Sequence, residues 1–281
     1  MMKTIKSIFI TLLLLLCCSS CDEGSVGNLD NLFSNDDTVG ALKEALTIGA
    51  TTASTELGKE GGYLNDSLVR IALPQETKTL FDIIGQLQQS PAGELLLNAV
   101  GISDNLENTM TTLINKAAED AAPKAVDVFK TAITGITIAD GESILFGANN
   151  AATTYLQNKT FTGLQSAFNP TITESLSNVS FGGYNANQAW EAVTTQYNKL
   201  MNAKESTAGN AAMVALQLAD SDSYNKISSM QGLETNLADY VTDKALDGLF
   251  SKVANKELDI RTNAAARTSD LLKDVFGRLD K

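Results

Sequence analysis

The sequence predicts an all-α, multi-helix, bundle-like single domain, preceded by a signal peptide and a flexible tether. Three observations lead there. Apolar residues from position 38 onward recur at three- and four-residue spacing. Ser, Asn, Gly and Pro punctuate these runs where helices start and stop. Sustained alternation of apolar and polar residues, the mark of a half-buried strand, is nearly missing.

The N-terminus comes first in the chain. Lys3 and Lys6 precede an apolar run over 8–16 that includes five consecutive Leu. Such a run is too short to span a bilayer but suits the core of an export signal. It is followed by Cys17-Cys18-Ser19-Ser20-Cys21. Small residues before a Cys resemble the lipobox of bacterial lipoproteins. The reading is therefore a signal peptide over 1–20 and lipidation of Cys21, with Cys18 as the alternative. Residues 21–37 then form the acylated Cys and an acidic, Gly/Asn/Ser-rich tether. The expected location is the bacterial cell envelope, lipid-anchored on the periplasmic face or at the outer-membrane surface.

Residues 38–281 form the helical domain. Val39, Leu42, Leu46, Ala50 and Ala53 place a helix over 38–57, stopped by Gly58. The Gly61-Gly62 turn leads into a short extended piece over 69–74, kept out of α conformation by Pro74. Helices follow over 76–89, from Ser90-Pro91, and over 103–121 and 124–135 on either side of Pro123. Asp140 is placed as the cap of a short helix reaching Phe146. Three separate helices are expected over 149–157, 161–168 and 171–179, the last started by Asn169-Pro170. Gly182-Gly183 marks a loop before a helix over 187–201. Residues 202–232 read as a variable, partly helical insertion, 233–258 as one long helix and 268–276 as a final one.

Composition excludes several kinds of chemistry. The 281 residues hold 21 Lys+Arg, 33 Asp+Glu and no His, for a formal charge of −12. Without His there is no Ser-His-Asp or Cys-His machinery and no His-based zinc site. The acid excess disfavours nucleic acid, whose phosphates need clustered cations. All Cys lie at positions 17, 18 and 21, so the domain after Cys21 has neither disulfide nor thiol nucleophile. No phosphate-binding glycine loop or nucleophile elbow occurs, and no cofactor is expected.

One cluster stands out. Asp239, Asp243 and Asp247 recur every four residues beside the apolar stripe Leu237, Val241, Leu249 and Val253. Stacked like charges repel by a few tenths of a kcal/mol, or about 0.2–0.5, per pair. Three readings stand: a solvated face, structural pairing with Arg70, Arg261 or Arg267, and a Ca²⁺ or Mg²⁺ site without EF-hand spacing. Arg70 and Arg267 are the better placed partners, since Arg261 follows on the same helix. Two short triplets, Asp37-Thr38-Val39 and Asp66-Ser67-Leu68, also resemble an O-glycosylation motif.

Several stretches together resemble the DUF4197 family of bacterial proteins. They are ALKEALTIGA (41–50), GGYLNDSLVRIALP (61–74), AAPKAVDVFKTAI (121–133), ITIADGESILFGANNAATTYLQNKT (136–160), DYVTDKALDGLFSKVANKELDIR (239–261) and AARTSDLLKDVFG (265–277). The resemblance implies an exported, mainly helical envelope protein and brings no reaction with it. The expected role is a non-enzymatic binding or scaffold module for an envelope protein or an apolar ligand. The alternative is a hydrolase acting on an envelope polymer through a carboxylate pair.

Overall fold

A computed structural model describes residues 35–102, 106–233 and 236–280. Cys21 and the expected signal peptide lie outside the described residues, as does most of the expected tether. Among the described residues the fold is all-α, as expected, with one small hairpin where a loop is expected. Its centre is built from long helices. Helix α1 (Asn35–Leu57) lies against α11 (Leu237–Thr262), α5 (Ala125–Thr134), α6 (Ile138–Leu145) and α12 (Asp270–Phe276). Helix α7 (Ala151–Asn178) packs on α11, α5 and α4 (Glu107–Ala121). Helices α2 (Gln75–Leu87), α3 (Pro91–Val100), α8 (Ala186–Met201), α9 (Thr207–Ala219) and α10 (Ser221–Ser228) extend the structure on the α4 side. The described residues belong to one compact unit, Ser34–Lys281. None of the described helices is long and apolar enough to cross a membrane.

Local chemistry sets the helix ends. Ser90 accepts from the Gly93 N–H with Pro91 in the first turn, and Gly101 closes α3 at φ 69°. Asn185 and Gln188 form a capping box for α8. Gly182 and Gly183, at φ 62° and 86°, make the two-residue turn of the hairpin β1 (Ser180–Phe181) and β2 (Tyr184–Asn185). Two consecutive positive φ angles match a type I′ turn, which glycines adopt without strain. In the centre Phe129 meets Phe250 edge to face, with ring centroids 5.8 Å apart, an arrangement worth about 0.5–1.5 kcal/mol beyond burial.

Two expectations are corrected. Residues 149–179 do not form three helices, because α7 runs unbroken through Pro170. Leu164, Phe168, Ile172 and Leu176 are buried on both sides of the proline and hold the helix together. Asp140 does not cap α6 from outside; Thr137 is the cap, and Asp140 returns a bond to its backbone from the third helical position. The expected extended piece over 69–74 lies outside the helices and pairs with no strand among the described residues. Residues 202–232, expected to be partly helical, hold α9 and α10. Ser206 and Asp220 cap α9 and α10, and Met213, Leu216 and Ile227 are buried against the rest of the core.

The segment after α1 is held by buried polar groups. Glu119 accepts from the backbone N–H groups of Tyr63 and Leu64, and the Tyr63 hydroxyl donates to the Ala245 carbonyl at 2.7 Å. Burial, with the Glu119 charge second, pushes the Tyr63 phenol far above its ordinary range, so it stays a neutral donor.

Candidate functional site: the outer edge of helix α11

Helix α11 turns Val241, Ala245, Leu246, Leu249 and Val253 inward, where all are buried. Its cap is Asn236, which accepts from the N–H groups of Ala238 and Asp239. With that register fixed, Asp239, Asp243 and Asp247 share one outer edge and are exposed.

Arginine does not neutralise this edge. Asn169 and Gln165, four residues apart on α7, donate side-chain amide bonds of 2.9 Å to Asp239 and Asp243. Lys244 pairs with Asp247 at 3.1 Å. An amide ladder on one helix thus faces an acid ladder on the next. The expected Arg pairing fails because exposed carboxylates keep their water, so no buried charge demands a guanidinium. The edge is solvent-exposed, yet it is not the partnerless solvated face of the first reading, because each Asp has an amide or Lys partner. Among the described residues no group of three or more His, Cys, Asp or Glu side chains is placed to hold a metal ion.

The arginines go elsewhere. Arg261, 4 % exposed, donates to Glu257 at 2.8 Å and to the carbonyls of Leu145 and Ile144. Glu257 in turn accepts from the N–H groups of Ala152 and Thr153 and from the Thr153 hydroxyl. Arg267, 3 % exposed, donates to the carbonyls of Ile260 and Arg261 and grips Asp280 with both terminal nitrogens at 2.5 and 2.6 Å. Each buried arginine therefore closes a helix end. Arg278 lies over the Phe146 ring. Arg70 is exposed; its backbone N–H donates to the Asp66 carbonyl at 2.8 Å, and its side chain makes no hydrogen bond or ion pair with the described residues.

Two grooves flank the acidic edge. One, of about 490 Å³, is lined by Gln165, Ser166, Asn169, Asp239, Thr242 and Asp243. The other, of about 310 Å³, runs between α11 and the extended segment and brings Arg70, Lys244 and Asp247 to one site. Arg70 and Asp247 thus line one groove without forming the expected ion pair. A third groove, of about 590 Å³, opens between α5 and α7 over Val128, Ala132 and Gly163, with Asp127, Tyr155 and Lys159 among its lining residues. There the Tyr155 hydroxyl donates to Asp140 at 3.2 Å. Hydrogen bonds from Thr137 hold the Asp140 carboxyl below the usual range. Of the two O-glycosylation-like triplets, Thr38 is buried and Ser67 is exposed in a turn.

Sequence reasoning missed Glu257. Its signal was the Glu257–Arg261 spacing of one helical turn, the preferred order for an i,i+4 pair.

The fold and these grooves define an all-α, multi-helix domain with open clefts beside its C-terminal long helix. The chain belongs to the family described as "Protein of unknown function (DUF4197)", whose match spans residues 32–277. No curated protein and no solved structure matches the chain.

Proposed function

We propose that the chain is a lipid-anchored protein of the bacterial envelope whose helical domain binds a partner without catalysing a reaction. Support for the anchor comes from the sequence: the apolar run over 8–16 followed by Ser19-Ser20-Cys21. Acyl chains on Cys21 would hold the protein at the membrane with about 0.8 kcal/mol per buried CH₂.

One observation carries the binding reading. The buried charges Glu119, Glu257, Arg261 and Arg267 are all committed to backbone groups, whereas the Arg70 side chain has no partner among the described residues and lies in an open groove. The rival hydrolase would need two carboxylates in different settings, one an acid and one a base. Asp239 and Asp243 share a groove, but their settings are alike: both are exposed and each takes one amide bond.

Two experiments test the proposal. Cys21→Ser should release the protein in soluble form and end incorporation of labelled fatty acid; continued incorporation moves the anchor to Cys18 or removes it. Mass spectrometry of the native lipidated protein should find a recurrent co-purifying molecule. Cleavage of an envelope polymer by the purified protein, lost in Asp243→Asn, would instead establish the hydrolase.

A further inference from the structure

The segment leading into α2 behaves as half of a β-ladder. Val69, Ile71 and Leu73 are buried while Arg70 and Ala72 are exposed, the two-residue period of a strand. One edge of it is already filled. The Asn115 side chain accepts from the Ile71 N–H at 2.8 Å and donates to the Ile71 carbonyl at 2.9 Å. That amide stands where a neighbouring strand would be. In extended backbone the N–H and C=O groups of successive residues point to opposite edges. The Arg70 N–H closes the preceding turn on the Asp66 carbonyl at 2.8 Å, so the Arg70 carbonyl and both backbone groups of Ala72 are the ones that belong to the other edge, on the α11 side. The Tyr240 hydroxyl donates there to the Ala72 carbonyl at 2.8 Å. The Ala72 N–H and the Arg70 carbonyl make no hydrogen bond with the described residues. The groove of about 310 Å³ lies along this stretch, between residues 68–72 and Tyr240, Lys244, Asp247, Gly248 and Ser251. Its volume is at the small end of ligand sites, which run from about 300 to 1,000 Å³.

We propose that this groove binds an extended acidic peptide, which adds as a parallel strand beside Ile71 and sets a carboxylate against Arg70. The register follows from the open groups. In a parallel ladder one partner residue donates its N–H to the residue before its neighbour and accepts from the residue after it. Here those groups are the Arg70 carbonyl and the Ala72 N–H, so that residue sits beside Ile71. The residue before it lies beside Arg70 and projects to the same face, where an Asp or Glu side chain meets the guanidinium. The fork geometry of Arg suits a planar carboxylate. Lys244 is already paired with Asp247, so Arg70 supplies the groove's unpaired positive charge. In a chain with 33 acids against 21 bases, an arginine left without a carboxylate is available to one from outside. Leu68, 75 % exposed at the groove's end, offers an apolar contact to the same peptide. Main-chain pairing then gives affinity and the Arg70 contact gives selectivity.

This inference rests on the binding reading above, and its test separates the two. The full chain, with its lipid end in a detergent micelle, is ¹⁵N-labelled and titrated to millimolar with the peptide acetyl-Thr-Val-Glu-Val-Thr-amide. Amide shifts should centre on Ala72 and stay within residues 68–73 and 240–251. Replacing the peptide's Glu by Gln should weaken binding roughly three- to fivefold, the size of an exposed charge pair. Arg70→Gln should remove that difference while leaving the rest of the spectrum unchanged. N-methylation of the Val after Glu should abolish binding, because it deletes the donor to Arg70 without touching the protein. An unmoved Ala72 amide, equal binding of the N-methyl peptide, or the same shifts from inorganic phosphate would each overturn the inference. Peptide-induced shifts confined to Val128, Tyr155 and Lys159 would overturn it while leaving a binding module in place. Silence throughout the spectrum, with nothing co-purifying, would remove both.

Discussion

Glu257 and Arg261, one turn apart on α11, join the end of α6 to the start of α7. The carboxylate accepts the first N–H groups of α7, and the guanidinium donates to the last carbonyls of α6. Each charge therefore sits at the helix end whose dipole favours it: the anion at an N-terminus and the cation at a C-terminus. Both side chains are buried, at 5 and 3 % exposure, and their own contact of 2.8 Å neutralises the pair.

Removing either partner should cost about 3–5 kcal/mol, because the other remains as a buried charge. Urea unfolding followed by circular dichroism should show this for Glu257→Ala and for Arg261→Ala. The double variant should lose less than the two single losses added together. Arg70→Ala is the contrast: Arg70 is exposed and unpaired, so its loss should stay below about 1 kcal/mol. An Arg70→Ala effect as large as that of Arg261→Ala would contradict the assigned roles.

The sequence made α11 and its acidic edge legible because spacing on one helix is a local property. The spacing predicts a helix over 233–258, whereas Asn236 caps it and it runs to Thr262, which includes Arg261. What could not be read was partnership across elements. Arg261 reaches residues more than a hundred positions away, and Gln165 and Asn169 meet Asp243 and Asp239 only because α7 is continuous. Asn169-Pro170 carries a local helix-break signal that conceals that amide ladder. Local signals lie within 202–232 as well: Ser206 and Asp220 are ordinary helix caps there.

Stability should fall on the acid side and stay level through neutrality. Arg267 holds the Asp280 carboxyl below the usual range, and Lys252 does the same for Asp66. A depressed folded-state pKa contributes stability above the unfolded value, about 3.9 for Asp, and loses it as pH falls through the folded value. The chain has no His, so no side chain has an ordinary pKa between about 5.5 and 8. Urea midpoints should therefore be flat from about pH 5.5 to 8 and drop below about pH 4. Asp280→Asn should reduce that acid-side drop. A midpoint that changes steeply between pH 6 and 7 would contradict this account.

Two helical glycines should respond to alanine with opposite signs. A Cβ at Gly248 would lie 2.9 Å from the Tyr63 ring and 3.2 Å from the Val69 Cβ, both buried. Tyr63 is fixed by its bond to Ala245 and cannot swing away. Overpacking of about 1–3 kcal/mol should therefore outweigh the helix-propensity gain of about 1 kcal/mol. Gly248→Ala should lower the unfolding midpoint. At Gly85, in α2, a Cβ would meet nothing within 4 Å. Gly85→Ala should keep the full propensity gain and raise stability by up to about 1 kcal/mol. Equal effects at the two sites would mean that the close approach of the 63–69 segment to α11 is not the constraint described.

Pro170 in α7 gives the last prediction. It has no N–H for the Ser166 carbonyl, and its ring crowds that turn, a defect costing about 3 kcal/mol in a helix interior. The helix continues because Phe168 and Ile172, on either side, are fully buried, and each such side chain contributes about 1.5–3 kcal/mol. Pro170 and Ser166 themselves are exposed, so water can solvate the carbonyl left without a donor. Alanine at this position would restore the bond without touching the core. Pro170→Ala should therefore stabilise the protein by about 1–3 kcal/mol, somewhat less than the full proline penalty because the unfolded chain also gains freedom. The gain should appear as a higher urea midpoint with an unchanged slope. Amide exchange should slow around residue 170, and the Asn169–Asp239 bond should persist. A lower midpoint would mean that the proline's bend is itself needed to seat α7 against α4 and α11, and that the amide ladder facing Asp239 and Asp243 depends on it.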